Sequence, residues 1–285
     1  MVVLLSLGHG YSAQAVGAAI LARGGRVIGT TRSAARAAAL ATTGVEPLIW
    51  PGDLVPALAQ ATHLLCSAAP DANGDPFLAL ARDQIAASGV GWVGYLSTTG
   101  VYGDHQGGWV DEDTPLNPGS VRAVQRVLAE RQWQAAGQDG GLPVHIFRLA
   151  GIYGPGRGPF EKVRDGTARR ILKPGQVFSR IHVDDIAQVV AASMLRVPQR
   201  RGPGAIYNVC DDDPAPPEDV LSFAAALLGL PEPPGVAYAE AEMTPMARSF
   251  YAESKRVRND RIKRDLGVVL RYPSYREGLA AILAG

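Results

Sequence analysis

Gly8-x-Gly10-x-x-Ala13, an arginine at position 32 and a hydroxyl at position 98 are the residues whose types and spacing can do chemistry in this sequence. The glycine set stands between an apolar run, Val2–Leu7, and a helical pattern, Ser12–Arg23. Gly8 permits a tight turn there, Gly10 lets a pyrophosphate approach the backbone, and small Ala13 lets the helix pack close to the strand. Unpaired N–H groups around Tyr11 and Ser12 then face the phosphates, with the helix dipole behind them. The expected ligand is a dinucleotide. The plain alternative is a glycine-rich turn closing an ordinary βα unit.

The end of the second strand reads the adenosine ribose. An NAD site usually carries Asp or Glu there, to accept hydrogen bonds from the ribose hydroxyls. This chain reads Gly29-Thr30-Thr31-Arg32-Ser33, with no acid. A carboxylate would repel a 2′-phosphate, whereas Arg32 can pair with it bidentately, with hydroxyl donors from Thr31 or Ser33 and a second cation from Arg36. NADP is therefore the preferred cofactor and NAD the second choice. The other reading of Arg32 is a solvated arginine at a helix start. Ser67, Ala68 and Ala69, at the end of the fourth strand, complete the expected cofactor lining.

These residues need a scaffold, and the hydrophobic rhythm supplies one. Strand-like runs at Arg26–Thr31, Val45–Trp50, His63–Ala68, Trp92–Thr98 and Val144–Ala150 alternate with helical stretches at Ser33–Ala41, Asp53–Ala61, Pro76–Ser88 and Ser120–Gly137. Such βαβα alternation means a parallel sheet covered by helices on both faces. Right-handed crossovers then make the α/β class a Rossmann-type, doubly wound fold. After residue 150 the rhythm loosens. Gly151–Gly158 reads as a turn-rich loop, Asp184–Arg196 as a helix capped by its own aspartates, Ala205–Cys210 as a strand and Pro217–Gly229 as a helix. Leu230–Gly235 is a spacer that cannot be helical. Helices at Ser254–Leu266 and Tyr275–Ala284 finish the chain. The expected organisation is a dinucleotide-binding domain over 1–150 and a smaller substrate-binding portion over 151–285, with 182–210 returning to the first domain's sheet.

Bulk properties remove other classes. At 285 residues the chain can bury a real core, and 47% hydrophobic against 19% charged residues excludes disorder. A formal charge of +1 argues against nucleic acid or an anionic membrane as partner. Cys66 and Cys210 lie far apart in apolar runs, which offers neither a zinc site nor a disulfide framework. No signal-like N-terminus and no apolar stretch of roughly 20 residues is present, so the expected location is cytoplasmic.

Four segments carry a family resemblance: Ser97-Thr98-Thr99-Gly100-Val101-Tyr102-Gly103, Arg148-Leu149-Ala150-Gly151-Ile152-Tyr153-Gly154-Pro155-Gly156, Arg180-Ile181-His182-Val183-Asp184-Asp185 and Tyr207-Asn208-Val209. In this order they resemble the extended short-chain dehydrogenase/reductase superfamily, the NAD-dependent epimerase/dehydratase group that acts largely on nucleotide sugars. Lys255–Gly267 is similar to that family's C-terminal helix; its six cations read as a solvated face. The resemblance implies a nicotinamide held over a cleft between the Rossmann domain and the C-terminal portion. It also implies a substrate beside Thr99 and Tyr153.

Two departures stand out. The family's GxxGxxG loop is here GxGxxA, with Leu7 in the first glycine's place, a change compatible with binding. The second reaches the chemistry. The family's Tyr-x-x-x-Lys pair falls, by spacing and by alignment on Glu130, on Arg122 and Arg126. Of the implied catalytic set, only the hydroxyl of Thr98 is kept. A guanidinium stays protonated and has no acceptor, so it cannot serve as a base near pH 7. Arg126 can still bond the nicotinamide ribose, and Arg122 can bind a substrate carboxylate or phosphate. The alternative is two exposed arginines one turn apart. Tyr11, Tyr102, Tyr153 and His182 are expected to be structural rather than replacement catalysts, and Asp211-Asp212-Asp213 solvated or capping rather than metal-binding.

The expected function is therefore an NADP(H)-binding epimerase/dehydratase-like protein, an atypical oxidoreductase or epimerase on a nucleotide sugar or small carbonyl. The alternative is a non-catalytic NADP(H) sensor. The resemblance also implies a homodimer through Ser120–Gly137, although one sheet-facing stripe is expected to account for most of its Val121, Val124, Leu128 and Trp133.

Overall fold

Leu4, Leu5 and Leu7 are wholly buried although neighbours in a strand point to opposite faces, because the first strand is covered on both sides. The computed structural model describes residues 1–196 and 204–285. The first half runs β1 (Val3–Leu7), α1 (Tyr11–Leu21), β2 (Arg26–Thr31), α2 (Ala34–Ala41), β3 (Glu46–Ile49), α3 (Val55–Gln60), β4 (His63–Cys66), α4 (Leu78–Ala86) and β5 (Trp92–Thr98). A 3₁₀ turn over Thr99–Tyr102 leads to β6 (Trp109–Val110), α5 (Val121–Gly140), β7 (Val144–Leu149) and β8 (Gly151–Tyr153). Then follow α6 (Phe160–Arg164), β9 (Arg170–Leu172), β10 (Arg180–His182), α7 (Val183–Arg196) and β11 (Ile206–Val209). The chain ends with α8 (Pro217–Leu227), β12 (Gly235–Ala237), α9 (Pro245–Tyr251), β13 (Arg256–Val257), α10 (Asp260–Leu266) and α11 (Tyr275–Ala284).

Seven parallel strands form one sheet in the order β11-β7-β5-β4-β1-β2-β3. The chain builds outward from β1 through β2 and β3, then restarts on the other side with β4. That reversal opens a crevice at the carboxyl ends of β1 and β4, where ligands of open α/β sheets sit. On one face Val16, Ile20, Ile186 and Val190 pack from α1 and α7. On the other, Leu58, Ile85 and Trp133 pack from α3, α4 and α5. A third core, with Phe160, Val220, Tyr275 and Leu279, lies in the C-terminal portion. Among the described residues no helix is long and apolar enough to cross a membrane.

Several expectations need correction. Gly151–Gly158 is not all loop: its first three residues form β8, paired with β10. The helix expected over Ser254–Leu266 begins only at Asp260. Residues before it are extended because tertiary partners claim their backbone: Ser254 N donates to Asp104 Oδ1 (2.7 Å), Arg256 N to Gly108 O (2.9 Å) and Val257 N to Ser179 Oγ (3.0 Å). Nor is the basic run simply solvated. Lys255 pairs with Glu253 at 2.7 Å, Arg261 with Asp113 at 3.0 Å and Lys263 with Asp212 at 2.6 Å.

Asp185 does not cap its own helix. Its carboxylate accepts the Arg271 and Tyr272 N–H groups (2.7 and 3.0 Å), fastening the C-terminal segment to α7. Asp211 is buried rather than solvated, while Asp212 takes Lys263 and Asn259, and Asp213 takes Arg276. The stripe on α5 is reassigned too. Trp133 is buried, but Val121, Val124 and Leu128 are 74%, 53% and 37% exposed. Ala123, Val127, Ala129 and Ala136 face inward instead, because small side chains let the helix lie close to its neighbours.

Candidate functional site

Gly8 has φ +74°, and a Cβ built on it would lie 3.0 Å from the Ala68 backbone nitrogen. Both facts demand glycine, since a side chain disfavours that conformation and the segment after β4 leaves no room for one. Gly8 N donates to Thr30 Oγ1 (2.7 Å), and the Ser67 hydroxyl donates to Gly8 O, so β2 and β4 clamp the turn. Gly10 caps α1 with no side chain; a Cβ there would meet only Gly8 O, at 3.7 Å. The first N–H groups of α1 therefore have no side-chain cap, an arrangement suited to an anion. Ala13 is wholly buried. Of the neighbours named from sequence, Ser67 spends its hydroxyl on the turn, Ala68 forms its floor and Ala69 is exposed.

His9, which the motif does not single out, packs its ring between Gly17 and Gly29. Its Nδ1 lies 2.9 Å from Ser6 Oγ. Burial, with the Arg36 charge adding to it, pushes the imidazole down to about 4. The folded state thus holds the neutral ring. Its stabilisation is complete above the unfolded value near 6.5 and is lost as pH falls toward 4. An NMR titration is expected to show His9 neutral at about pH 6, with a midpoint near 4. A midpoint near the ordinary histidine value of about 6.5 would contradict the buried placement.

At the end of β2, Thr31 is buried while Arg32 and Arg36 are exposed. Ser33 accepts from Arg36 N (3.3 Å) as the cap of α2, which occupies its oxygen. Tyr11 donates from its hydroxyl to Pro155 O (3.0 Å), and the Arg157 guanidinium lies 5.6 Å over its ring. These contacts join the glycine turn to the loop after β8.

Thr98, Thr99, Arg122, Arg126 and Tyr153 line one cleft of about 710 Å³. Thr98 Oγ1 accepts Gly100 N (3.1 Å) and starts the 3₁₀ turn, leaving its own proton to donate. The two arginines do not act as a pair. Arg126 Nη1 donates to Leu96 O (2.9 Å), Tyr95 Oη (3.0 Å) and Ala68 O (3.3 Å), bracketing β4 to β5. Arg122 is exposed, its guanidinium 5.6 Å over the Phe250 ring of α9. Tyr153 contributes its ring to the wall, but its hydroxyl donates to Ser274 O (3.3 Å) and its edge meets His182 at 5.2 Å. His182 Nδ1 accepts Asp184 N (3.2 Å), and burial lowers its basicity, so this ring is structural.

The sequence motifs meet below the cleft. Glu130 and Arg148 form a buried ion pair at 2.8 Å. Ser97 donates to Glu130 Oε1 (2.5 Å), Arg148 Nη1 to Tyr102 Oη (2.9 Å) and Tyr102 to Asn208 Oδ1 (2.7 Å). Burial pushes the Tyr102 phenol up to about 12. One network thus joins β5, the 3₁₀ turn, α5, β7 and β11. Sequence reasoning missed the far lining, Arg157, Phe178, Arg180, Tyr251, Glu253 and Lys255. Most of these sit in segments without periodicity; Arg180 stood in a family motif and Lys255 in the basic run, neither marked as cleft lining.

Comparison with known proteins agrees with this architecture. The model of the NAD dependent epimerase/dehydratase family matches residues 75–210. Protein YeeZ of Escherichia coli K12 is 33% identical over 245 residues, covering 80% of this chain and 84% of YeeZ. A 3-diazoavenalumate denitrifying reductase of Streptomyces sp is 31% identical over 189 residues, covering 60% of this chain and 58% of that protein. A solved structure of a functionally unknown conserved protein from Silicibacter pomeroyi has 59% identity and a TM-score of 0.92. That match covers 100% of this chain and 99% of that one.

Proposed function

The chain belongs to the NAD-dependent epimerase/dehydratase family, and on that premise we propose that it binds NADP(H) and reduces a small organic molecule. The observation that carries this is the Gly8–Ala68 cradle beside the bare start of α1, which leaves backbone N–H groups for a pyrophosphate. Gly8, Gly10, Tyr11, Ser12 and Ala13 would hold the diphosphate, Thr31 and Arg32 the ribose, and Ala68 and Arg126 the inner half. A bound nicotinamide supplies hydride to an acceptor, or takes one from a donor.

Within the cleft, Thr98 can donate its hydroxyl proton to an atom gaining negative charge, since toward Gly100 N the hydroxyl acts as acceptor. Neither Arg122 nor Arg126 can take a proton from a substrate alcohol. This disfavours epimerisation through an oxidised sugar, which begins by removing such a proton. It favours reduction of an electron-poor centre with the balancing proton drawn from water. The Streptomyces relative, by name a reductase, supports that direction.

The absence of any acid from Arg26 to Val45 and the exposed Arg32 favour the 2′-phosphate. Arg32→Glu is expected to weaken NADPH at least roughly tenfold, about 1.4 kcal/mol, while sparing or improving NADH. Fluorescence titration of both nucleotides checks it, and an unchanged preference would remove Arg32 from the ribose site.

A second reading, an NADP(H) sensor without turnover, is favoured by the same two arginines. NADPH oxidation across a panel of small carbonyls and other electron-poor acceptors separates them: turnover selects the reductase, and tight binding without turnover the sensor. We also propose a homodimer through α4 and α5, whose exposed Leu80, Val121, Val124 and Leu128 leave an apolar face in water. Sedimentation is expected to give a dimer, with Val124→Asp monomeric; a monomeric wild type would contradict this.

A further inference from the structure

The cleft is charged out of proportion to the chain. Among the described residues that line it are five cations, Arg122, Arg126, Arg157, Arg180 and Lys255, and a single carboxylate, Glu253. The whole protein carries only +1. Lys255 is satisfied by Glu253 (2.7 Å) and Gly103 O (2.6 Å). Arg126 and Arg157 lie toward the glycine turn, against Ala68 and Tyr11. Arg122 is exposed and lies over the Phe250 ring. Arg180 differs in being a half-buried cation whose donors are not all engaged.

Its Nη1 donates to Phe178 O (2.9 Å) and Ala215 O (3.0 Å), which fixes the guanidinium in one orientation. Among the described residues its Nε and Nη2 have no partner, and no carboxylate lies within ion-pair distance. The free edge is the side-on pair of N–H donors that matches a carboxylate. Around it stand rings: Phe178 6.0 Å beneath the guanidinium, Tyr251 edge-on to Phe178 at 5.5 Å, and Tyr275. We infer that Arg180 is the specificity-determining residue of this cleft, and that the substrate is a small carboxylic acid with a planar, apolar body rather than a nucleotide sugar. A guanidinium fork can also pair with a phosphate. The discrimination against a nucleotide sugar therefore comes from the aromatic collar, which suits a planar apolar body and offers little to a polar sugar ring.

Two features support the assignment. Asp211, the nearest acidic influence on Arg180, is buried, and its carboxyl is pushed up to about 8. Burial thus weakens the one carboxylate that acts most on Arg180, which among the described residues has no ion-pair partner at contact distance. A half-buried cation whose hydrogen-bond partners among those residues are carbonyls alone gains from an anionic ligand. In a cleft with low-dielectric walls, the surplus positive charge also draws anions in from solution.

The inference rests on reading the cleft as the substrate site, so its test keeps the two apart. NADPH binding to the full chain is measured first. Benzoate, trans-cinnamate and cyclohexanecarboxylate, each beside its primary amide, are then titrated by calorimetry against the NADPH-saturated protein, with UDP-glucose for comparison. At least one acid is expected to bind at least roughly tenfold tighter than its amide, with UDP-glucose giving no saturable signal. Arg180→Gln is expected to erase the preference for the acid with NADPH affinity unchanged, and Arg180→Lys to restore part of it. Equal binding of acid and amide across the panel overturns the inference in the wild type, whether or not the variants fold. Loss of NADPH affinity in Arg180→Gln overturns it by giving the arginine to the cofactor. If NADPH does not bind at all, the cofactor assignment fails separately, and the acid–amide comparison on the chain alone still decides this one.

Discussion

Arg148→Met is expected to lower stability by about 3–5 kcal/mol, because it strands the carboxylate of Glu130 in the core. Arg148 and Glu130 are 3% and 2% exposed, and the guanidinium also donates to Tyr102 Oη at 2.9 Å. For a chain of this size, the melting temperature should fall on the order of 10 °C. The double variant Arg148→Met with Glu130→Gln should recover much of the loss, since it leaves no unpaired charge. Scanning calorimetry of the two single variants and the double checks both parts. A single-variant cost below about 1 kcal/mol would mean that the pair is open to water. Ser97 precedes Thr98 on β5 and bonds Glu130, so losing the pair is also expected to loosen the cleft wall.

Gly8→Ala and Gly10→Ala are expected to part company. At Gly8 the added carbon meets Ala68 atoms at 3.0–3.3 Å in a conformation disfavoured by about 1–2 kcal/mol. The variant should lose both stability and NADPH binding. At Gly10 the same carbon meets nothing nearer than 3.7 Å, so the protein should melt normally. Yet that carbon stands where the pyrophosphate would approach, and NADPH affinity should drop at least roughly tenfold, about 1.4 kcal/mol. Thermal melts with and without nucleotide separate the two effects. A Gly10→Ala variant that binds NADPH like the wild type would place the phosphates elsewhere.

Much of this was legible from residue order because it is local. The glycine turn, the acid-free end of β2 and the alternation of strands with helices each depend on a few adjacent side chains. What escaped depends on convergence. Ser97, Tyr102, Glu130, Arg148 and Asn208 are spread over more than a hundred positions, and only the fold brings their polar atoms together. The motifs marked these residues without revealing that they satisfy one another. The far wall of the cleft escaped for another reason. Phe178 lies two residues before three-residue β10, too short for periodicity to register, and Arg180, which opens that strand, was marked only as part of a family motif. On α5, the spacing of Val121, Val124 and Leu128 identified a face but not its neighbour, and alanines took the inward side.

The most direct test of the cofactor assignment is calorimetric titration of the purified chain with NADPH and with NADH. One NADPH per chain, bound at least roughly tenfold tighter than NADH, is the expected result. No binding of either nucleotide at millimolar concentration would contradict it.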